Sequence, residues 1–344
     1  MIRIGINGFG RIGRALLRAS WNDSEVEVVA INDLGDIENL GYLLRHDSVY
    51  RNFPAEVKVE GADLVVGGKK IKFLQEKDPA KLPWKDLQID VAVESTGVFD
   101  SFEKASAHIT AGARHAVISA PVKDDLPAQA GMPNSATVLV GVNEEKLSTC
   151  SVTSNASCTT NAASPLIAIL DETLGIEKAL LNTTHAYTAT QSMVDSPVKG
   201  SDYRRGRAGA SNMSPSTTGA AIAVTKAYEQ LAGKFDGIAV RVPVIAGSLA
   251  DITFVSKRDT TVEEVNKILE EASQEVRWQG IFAVTKEPLV SSDIIGSQYG
   301  SIADLALTKV VGGNLVKVLA WYDNEMGYAH TLLRHVKAAG KHSI

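Results

Sequence analysis

The chain has 344 residues, and its 44% hydrophobic and 22% charged content is typical of a folded globular protein. This composition excludes long disordered or collagen-like stretches, and the length exceeds that of one ordinary hydrophobic core, so we expect two domains. The net charge of -5, from 40 acidic and 35 basic residues, gives no general attraction to nucleic acid or to an anionic membrane. A small molecule is therefore the expected partner.

Three further features concern the location of the protein. The opening MIRIGINGFG enters a strand-like run without the charged, apolar and cleavage regions of a signal peptide. No apolar stretch approaches the ~20 residues that a membrane helix needs. Cys150 and Cys158 are too few and too close together for a disulfide framework. We therefore expect a cytoplasmic protein without a membrane segment.

Up to about residue 155, short β-branched runs alternate with helical stretches, a pattern that is typical of a parallel sheet. A helix is predicted from Arg11 to Trp21, with Ile12, Leu16 and Leu17 on one face. The predicted strands are Ile2–Ile6, Val26–Ile31, Val91–Val93, His115–Ser119 and Thr137–Val140.

After Cys158 the predicted strands are longer and more regularly alternating, which indicates a mixed α+β second domain. A stretch from Ser192 to Pro215 is rich in Ser, Gly and Arg, and loops of this length in compact domains are usually functional or disordered. The last segment, Tyr328–Lys341, is predicted to be an amphipathic helix with Leu332, Leu333 and Val336 on its apolar face. Among the other predicted elements are strands Leu249–Ser256 and Leu315–Tyr322 and helices Thr217–Leu231 and Thr261–Ala272.

A dinucleotide-binding motif follows the first predicted strand. Gly8, Gly10 and Gly13 form G-x-G-x-x-G at the head of a helix, and Asp33 closes the second strand. Such glycines allow a tight turn and close approach of a pyrophosphate to the helix N-terminus, while the carboxylate accepts hydrogen bonds from ribose hydroxyls. A carboxylate there favours NAD over NADP, although a role for Asp33 as a simple helix cap stays open.

The octapeptide SNASCTTN places Cys158 among small polar residues, before a helical run that is expected to begin near Ala162. A helix N-terminus would stabilise a thiolate and offer backbone N–H groups to an oxyanion. A cysteine is by itself more often a small buried hydrophobe, but the polar neighbours favour a nucleophile. Pro165 is expected to kink this helix or to move its start to a later residue.

His185 is the histidine chosen as the base, because it opens a polar turn after the strand-like run Leu180–Thr184. Spacing alone scarcely separates it from the other six histidines of the chain. Cysteine and histidine do not cluster with the spacing of metal ligands, so no metal is expected.

Seven blocks now resemble the glyceraldehyde-3-phosphate dehydrogenase family in order and spacing. They are NGFGRIGR at 7–14, SNASCTTN at 154–161, HAYT at 185–188, RRGR at 204–207, STTG at 216–219, RVP at 241–243 and WYDNEMGY at 321–328. The resemblance implies a Rossmann-type α/β dinucleotide-binding domain, residues 1–156 joined by the C-terminal helix 326–344. It also implies an α+β catalytic and oligomerisation domain with a mixed, largely antiparallel sheet, residues 157–325.

By this resemblance, D-glyceraldehyde 3-phosphate, inorganic phosphate and NAD give 1,3-bisphosphoglycerate and NADH through a cysteine thioester. Cys158 would be the nucleophile and His185 the base, in a homotetramer whose loop 192–215 packs against a neighbouring subunit's cofactor. The residues expected to bind substrate phosphate or attacking phosphate are Ser157, Thr159, Thr188, Arg205, Thr218, Gly219 and Arg241. Those expected to bind the cofactor are Gly8, Phe9, Gly10, Arg11, Ile12, Gly13, Asp33, Lys77, Thr96, Gly97, Ser119, Asn324 and Tyr328.

The sequence departs from the family pattern at three places. Ala189-Thr190 stands where many members have Asn-Asp, which removes an acid near the substrate-phosphate pocket. Met326 stands where tryptophan is usual, a change that concerns packing more than chemistry. In the loop, Ser196-Pro197 replaces a leucine-proline pair of some members, and a serine there can accept a 2′-phosphate, so some use of NADP stays open despite Asp33.

Two alternatives to this interpretation have different signatures. Erythrose-4-phosphate dehydrogenase has a similar fold and cysteine block but resolves the thioester with water, and STTG at 216–219 argues against it. A non-catalytic binding protein on this fold would be expected to lose Cys158 or His185, and the chain has both.

Overall fold

The computed structural model describes residues 1–122, 134–198 and 200–343. The chain divides into two compact units, one of residues 1–156 with 329–344 and one of residues 157–328. Each unit is built around its own sheet.

The first unit forms a nine-stranded sheet within the described residues. The strands of this unit are β1 (Ile2–Asn7), β2 (Val26–Asn32), β3 (His46–Asp47), β4 (Arg51–Asn52), β5 (Val57–Glu60), β6 (Asp63–Val66), β7 (Lys69–Leu74), β8 (Val91–Glu94), β9 (His115–Ile118), β10 (Ser135–Thr137) and β11 (Val152–Ser154). The sheet order is β10-β11-β9-β8-β1-β2-β7-β6-β5, and β3 pairs separately with β4. Pairing is parallel from β10 to β7 and antiparallel between β7, β6 and β5.

Helices cover this sheet, and its central strands are almost wholly apolar because parallel strands are buried on both faces. The helices of the unit are α1 (Arg11–Ser20), α2 (Ile37–Arg45), α3 (Phe102–Ala105) and α4 (Ala107–Thr110), and Ala329 onward adds most of α8 (Met326–Ser343). In α8 the predicted apolar face, Leu332, Leu333 and Val336, is buried. A Cβ at Gly340 would lie 2.7 Å from the Ile2 side chain, so the helix packs closely on β1.

Two parts of the first sheet differ from the sequence prediction. The strand predicted for Thr137–Val140 ends at Thr137, because the Asn143 side chain bonds the Thr137 carbonyl at 2.9 Å and the Leu139 N–H at 2.8 Å. The antiparallel strands β5 to β7 were not predicted. Their exposed lysines and glutamates interrupt the apolar runs by which the parallel strands are recognised.

In the second unit the described residues form an eight-stranded sheet, in which seven strands follow one order and the eighth, β18, pairs with β19 beside them. The strands are β12 (Ile176–Ala186), β13 (Ser214–Thr217), β14 (Phe235–Val242), β15 (Ser248–Ser256), β16 (Phe282–Thr285), β17 (Ser301–Asp304), β18 (Lys309–Val311) and β19 (Leu315–Tyr322). The main order is β13-β14-β12-β15-β19-β17-β16. Pairing is parallel for β12 with β14 and β16 with β17, and antiparallel elsewhere, so the predicted fold class is confirmed.

The helices of the second unit are α5 (Cys158–Thr173), α6 (Ala220–Ala227) and α7 (Val262–Ala272). The helix predicted for Thr217–Leu231 is shorter in the structure, and its first residue, Thr217, belongs to β13 and pairs with Ile238 of β14. No helix of the described ranges is long and apolar enough to cross a membrane.

Candidate active site

The turn between β1 and α1 carries the three glycines of the dinucleotide motif. Gly8 has a φ of 97°, and a Cβ there would lie 2.6 Å from backbone atoms of Ser95 and Thr96. A Cβ at Gly13 would collide with the carbonyl oxygen of Gly8. A Cβ at Gly10 would meet no described atom within 4 Å, so the first turn of α1 stays open. N–H groups at the N-terminus of a helix are suited to bind an anion.

A crevice of about 410 Å³ lies at the carboxyl ends of the central parallel strands. It brings together five of the predicted cofactor residues, namely Gly8, Gly10, Asp33, Lys77 and Thr96. The predicted cofactor residues did not include its other lining residues, which are Asn7, Asn32, Leu34, Glu76, Ser95, Val98 and Phe99. Asn7 and Asn32 end β1 and β2, and polar residues at the ends of adjacent parallel strands are a signal that would have found them.

Asp33 holds the glycine turn in place. Its Oδ2 accepts a hydrogen bond from Phe9 N–H at 2.6 Å and its Oδ1 accepts one from Gly35 N–H at 2.8 Å. Arg14 donates to the Phe9 carbonyl at 2.7 Å, so both backbone groups of Phe9 are fixed. A carboxylate has about four acceptor positions, and Asp33 therefore retains capacity for ribose hydroxyls.

The other predicted cofactor residues of the first unit are placed differently. Arg11 pairs with the buried Asp47 at 2.5 Å, so its guanidinium points to that carboxylate. Ile12 lies in α1, Gly97 directly follows Thr96, and Ser119 directly follows β9. None of these four residues lines the crevice described above.

Cys158 is the first residue of α5, and its N–H therefore belongs to the open end of a helix. Ser157 caps the helix by accepting a hydrogen bond from Thr160 N–H at 3.1 Å. The preceding Ala156 has a φ of 52°, a strained conformation for a residue other than glycine. The helix begins four residues before the expected start near Ala162 and continues through Pro165, so the later start is wrong, while the kink at Pro165 stays a prediction. The Ser157 cap stabilises this earlier beginning.

The position of His185 beside Cys158 follows from strand register. His185 is the penultimate residue of β12, and its Nε2 lies 3.3 Å from Cys158 Sγ. The parallel pairing of β12 with β14 sets His185 opposite Arg241, whose guanidinium Nη1 lies 2.6 Å from His185 Nδ1. The carbonyl oxygen of Ala186 lies 2.7 Å from the same Nδ1 and 3.2 Å from Arg241 Nη1.

Burial dominates the protonation of this cluster. It raises the pKa of the Cys158 thiol above its ordinary value, although Arg241 and hydrogen bonds with Thr159 act in the opposite direction. Burial and then the Arg241 charge lower the pKa of His185 to about 3. The isolated site therefore favours a neutral thiol beside a neutral imidazole, at a distance suited to proton transfer.

The N-termini of α5 and α6 meet through polar contacts. Thr160 Oγ1 lies 2.7 Å from Ser157 Oγ and donates to the Ala220 carbonyl at 3.4 Å. Gly219 is the N-cap residue of α6, and Thr218 Oγ1 accepts from Ala220 N–H at 3.2 Å. The structure thus brings together three predicted phosphate-binding residues, Ser157, Thr218 and Gly219, at hydroxyl-lined helix ends.

Arg205 and Thr188 are both held by neighbouring polar side chains. Arg205 pairs with Asp202 at 3.1 Å and donates to Ser216 Oγ at 3.3 Å. Thr188 Oγ1 lies 2.9 Å from the Thr190 hydroxyl, so the departure at Thr190 directly contacts a predicted phosphate ligand. Burial lowers the pKa of Arg241, which the nearby Arg205 also lowers, so the two cations are close enough to interact.

Tyr322, which was not predicted as a site residue, contacts both Thr159 and His185. Its hydroxyl lies 2.8 Å from Thr159 Oγ1 and 2.7 Å from Thr183 Oγ1, and its ring meets that of His185 edge-on at 5.9 Å. From the motif at 321–328, which contains this tyrosine, only Asn324 and Tyr328 were predicted as site residues. Thr159 is thus turned toward a buried tyrosine.

Asn324 and Tyr328 both lie in the second unit and are buried. Asn324 Oδ1 accepts from Ser248 Oγ at 3.0 Å, which fixes the direction of its amide. Among residues 1–122, 134–198 and 200–343, no group of three or more His, Cys, Asp or Glu side chains is arranged to hold a metal ion.

Comparison with known proteins matches both units to one family. Residues 2–102 match the model of the glyceraldehyde 3-phosphate dehydrogenase NAD binding domain, and residues 157–324 match that of the C-terminal domain of the same family. A glyceraldehyde-3-phosphate dehydrogenase of Clostridium acetobutylicum is 46% identical over 97% of each chain. The protein of that name from Thermotoga maritima is 47% identical over 97% of each chain. The chain belongs to the glyceraldehyde-3-phosphate dehydrogenase family.

Membership of the glyceraldehyde-3-phosphate dehydrogenase family agrees with the placement of the clusters. The glycine turn and Asp33 lie inside the segment that matches the NAD binding domain. Cys158, His185 and Arg241 lie inside the segment that matches the C-terminal domain. Both clusters thus belong to segments that the family shares.

Proposed function

We propose that the protein oxidises D-glyceraldehyde 3-phosphate with NAD and inorganic phosphate, giving 1,3-bisphosphoglycerate and NADH. The observation that carries this proposal is the 3.3 Å approach of His185 Nε2 to Cys158 Sγ at the N-terminus of α5. A cysteine with a base at hydrogen-bond distance is the arrangement for covalent catalysis on a carbonyl carbon.

The first unit has the features that a dinucleotide requires. The open space at Gly10 and the N–H groups of α1 suit a pyrophosphate, and the Asp33 carboxylate suits ribose hydroxyls. Thr96 and Lys77 line the same crevice. When bound, NAD accepts the hydride that leaves the substrate carbon. We assign residues 1–156 with the C-terminal helix to this role and residues 157–325 to catalysis.

In the second unit, Cys158 Sγ attacks the aldehyde carbon while its proton passes to His185 Nε2. The backbone N–H groups at the start of α5 stabilise the oxyanion that develops on the former carbonyl oxygen. His185 returns its proton to this oxyanion, which gives the hydroxyl of the thiohemiacetal. It then takes the hydroxyl proton back as hydride leaves, and a thioester on Cys158 results. The neutral imidazole that burial favours is the form able to accept these protons.

Phosphate resolves the thioester. One of its oxygens bonds to the acyl carbon, the carbon–sulfur bond breaks, and an acyl phosphate leaves while the sulfur is reprotonated. The helix ends with Ser157, Thr218 and Gly219 suit this attacking anion, because N–H groups and hydroxyls bind phosphate well. Arg241 and Thr188 would bind the C3 phosphate of the substrate, with Arg205 between the two anions.

The active form is proposed to be a cytoplasmic homotetramer. The exposed side chains of Leu180, Ile222 and Ile238 support an association surface on the second unit. Light scattering after size exclusion should give the mass of four chains, and Leu180→Lys should reduce it. A monomeric wild-type protein would refute the tetramer.

NAD is proposed as the main cofactor, because Asp33 repels a 2′-phosphate. Ser196 is exposed in the loop, with its hydroxyl 2.8 Å from Ser192 Oγ, and it is the residue through which some NADP would be accepted. Ser196→Leu should then lower the use of NADP and leave NAD use unchanged. Equal NADP rates in both proteins would exclude that role.

The activity is tested by NADH absorbance with the triose phosphate in the presence and absence of inorganic phosphate. We expect strong dependence on phosphate. Oxidation that is independent of phosphate, or a preference for erythrose 4-phosphate, would instead favour erythrose-4-phosphate dehydrogenase.

A further inference from the structure

The last residues of three adjacent parallel strands form a buried polar row beneath the dinucleotide crevice. Asn7 ends β1, Asn32 ends β2 and Glu94 ends β8, and strand register sets Asn7 directly opposite both of the others. All three residues are 3% exposed or less. Burial of a carboxyl group is costly unless its oxygens accept hydrogen bonds, so its partners decide what Glu94 does.

Glu94 accepts hydrogen bonds from four donors. Its Oε2 receives Asn7 Nδ2 at 2.6 Å and lies 3.0 Å from His108 Nε2. Its Oε1 receives the Thr96 N–H at 2.8 Å and the Thr96 hydroxyl at 2.5 Å. One carboxylate thus joins the end of β1 to the turn after β8.

Neighbouring groups set the direction of these bonds. The indole N–H of Trp84 can only donate, and it lies 3.0 Å from His108 Nδ1. His108 Nδ1 therefore accepts, and its Nε2–H donates to Glu94. On the other side, Asn7 Oδ1 accepts from Asn32 Nδ2 at 2.7 Å, so the amide nitrogen of Asn7 must face Glu94. Every group around Glu94 is a donor, and only a side chain with two acceptor oxygens satisfies them all.

Two of the residues that bond to Glu94, Asn7 and Thr96, line the dinucleotide crevice. Asn32, which bonds to Asn7, lines it as well. Ser95, between Glu94 and Thr96, donates its hydroxyl to the Gly8 carbonyl at 2.6 Å and so ties the same turn to the glycine motif.

From this geometry we propose that Glu94 is a positioning residue for the dinucleotide, holding Asn7 and Thr96 in the orientation that the bound cofactor meets. This inference rests on the proposed use of NAD. It concerns cofactor affinity alone, since Glu94 belongs to the first unit and Cys158 to the second.

The test compares four variants by NAD titration, thermal unfolding and the rate at which iodoacetamide alkylates Cys158 without cofactor. Glu94→Gln replaces one acceptor oxygen by a donor, and either orientation of the amide then meets another donor. We expect its NAD Kd to rise about tenfold or more, the effect of one unsatisfied buried polar group. The alkylation rate should stay that of the wild type.

Asp90→Asn is the matched control, because Asp90 is also buried and immediately precedes the same strand, at its opposite end. It accepts from Arg3 N–H at 2.9 Å and pairs with Arg114. We expect it to lower the unfolding temperature and to leave the NAD Kd unchanged, which separates positioning from general stability.

An exchange of the amide and the carboxylate between positions 7 and 94 gives the clearest test. Asn7→Asp alone sets two carboxylates side by side and should weaken NAD binding more than Glu94→Gln does. In the double variant Asn7→Asp/Glu94→Gln, the new amide can donate to the new carboxylate, so NAD should bind more tightly than to either single variant. His108 would still meet a donor, so recovery should be partial.

Two results would overturn the proposal. One is an unchanged NAD Kd in a folded Glu94→Gln variant, and the other is a double variant that binds no better than the weaker single variant. If the wild-type protein itself does not bind NAD, the proposed function fails first, and the two failures are therefore distinguishable.

Discussion

Two buried histidines should make the first unit sensitive to mild acid. Thr153 Oγ1 lies 2.8 Å from His115 Nε2 and 2.7 Å from His335 Nε2, which ties α8 to the sheet. Burial lowers the pKa of His115 to about 4, with a smaller effect of His342. Burial and then His115 lower the pKa of His335 to about 3.

The direction of the change in stability with pH follows from the number of protons that the folded and unfolded chains bind. Both pKa values lie below the ~6.5 of an unfolded histidine, so the unfolded chain binds more protons in mild acid. The stability of the unit is complete above about pH 6.5 and falls as the pH decreases toward about 4. Each histidine contributes a slope of about 1.4 kcal/mol per pH unit below about pH 6.5. A change from pH 7.5 to 5.5 includes about one such unit, so it should cost about 3 kcal/mol for the two histidines.

Urea unfolding followed by far-UV circular dichroism at several pH values measures this slope. His335→Gln removes one titrating group and should halve the loss between pH 7.5 and 5.5. Thr153→Val, which keeps both histidines and removes the bridging hydroxyl, should lower stability at every pH without abolishing the slope. A His335→Gln slope equal to that of the wild type would refute the reasoning.

Three further predictions concern catalysis and binding. His185→Asn should lower kcat by about 10²–10⁴, and steady-state rates within a few fold of wild type would contradict its role as base. Gly13→Ala, whose Cβ collides with the Gly8 carbonyl, should weaken NAD binding in a titration while Cys158 alkylation stays normal; unchanged affinity would argue against a preformed turn. Thr190→Asp should change KM for the triose phosphate through its contact with Thr188, and an unaltered KM would place the substrate phosphate elsewhere.

Much of the fold was predictable because its signals are local. The parallel strands of the first unit are short apolar runs, and the glycine turn has fixed spacing. The strands β5 to β7 escaped prediction because their exposed charges reflect a sheet edge rather than a buried position. The start of α5 escaped it because Pro165 is a stronger local signal than the cap at Ser157.

The candidate site was only partly predictable because much of it depends on pairing between distant segments. Cys158 was recognisable from its own polar neighbours. The contact of His185 with Arg241 follows from the register of β12 and β14, which neither segment encodes alone. Tyr322 and Glu94 are both almost fully buried, and all of their polar partners except Thr96 come from other strands and helices.

The central claim is that Cys158 carries an acyl group that phosphate removes, and intact-protein mass measurement tests it most directly. After a single turnover with NAD and D-glyceraldehyde 3-phosphate in phosphate-free buffer, the account predicts one acyl group per chain, located on Cys158. Adding phosphate should remove it rapidly and yield acyl phosphate, and Cys158→Ala should never acquire it. Oxidation of the aldehyde without an adduct on Cys158, or loss of the adduct at the same rate without phosphate, would contradict the account.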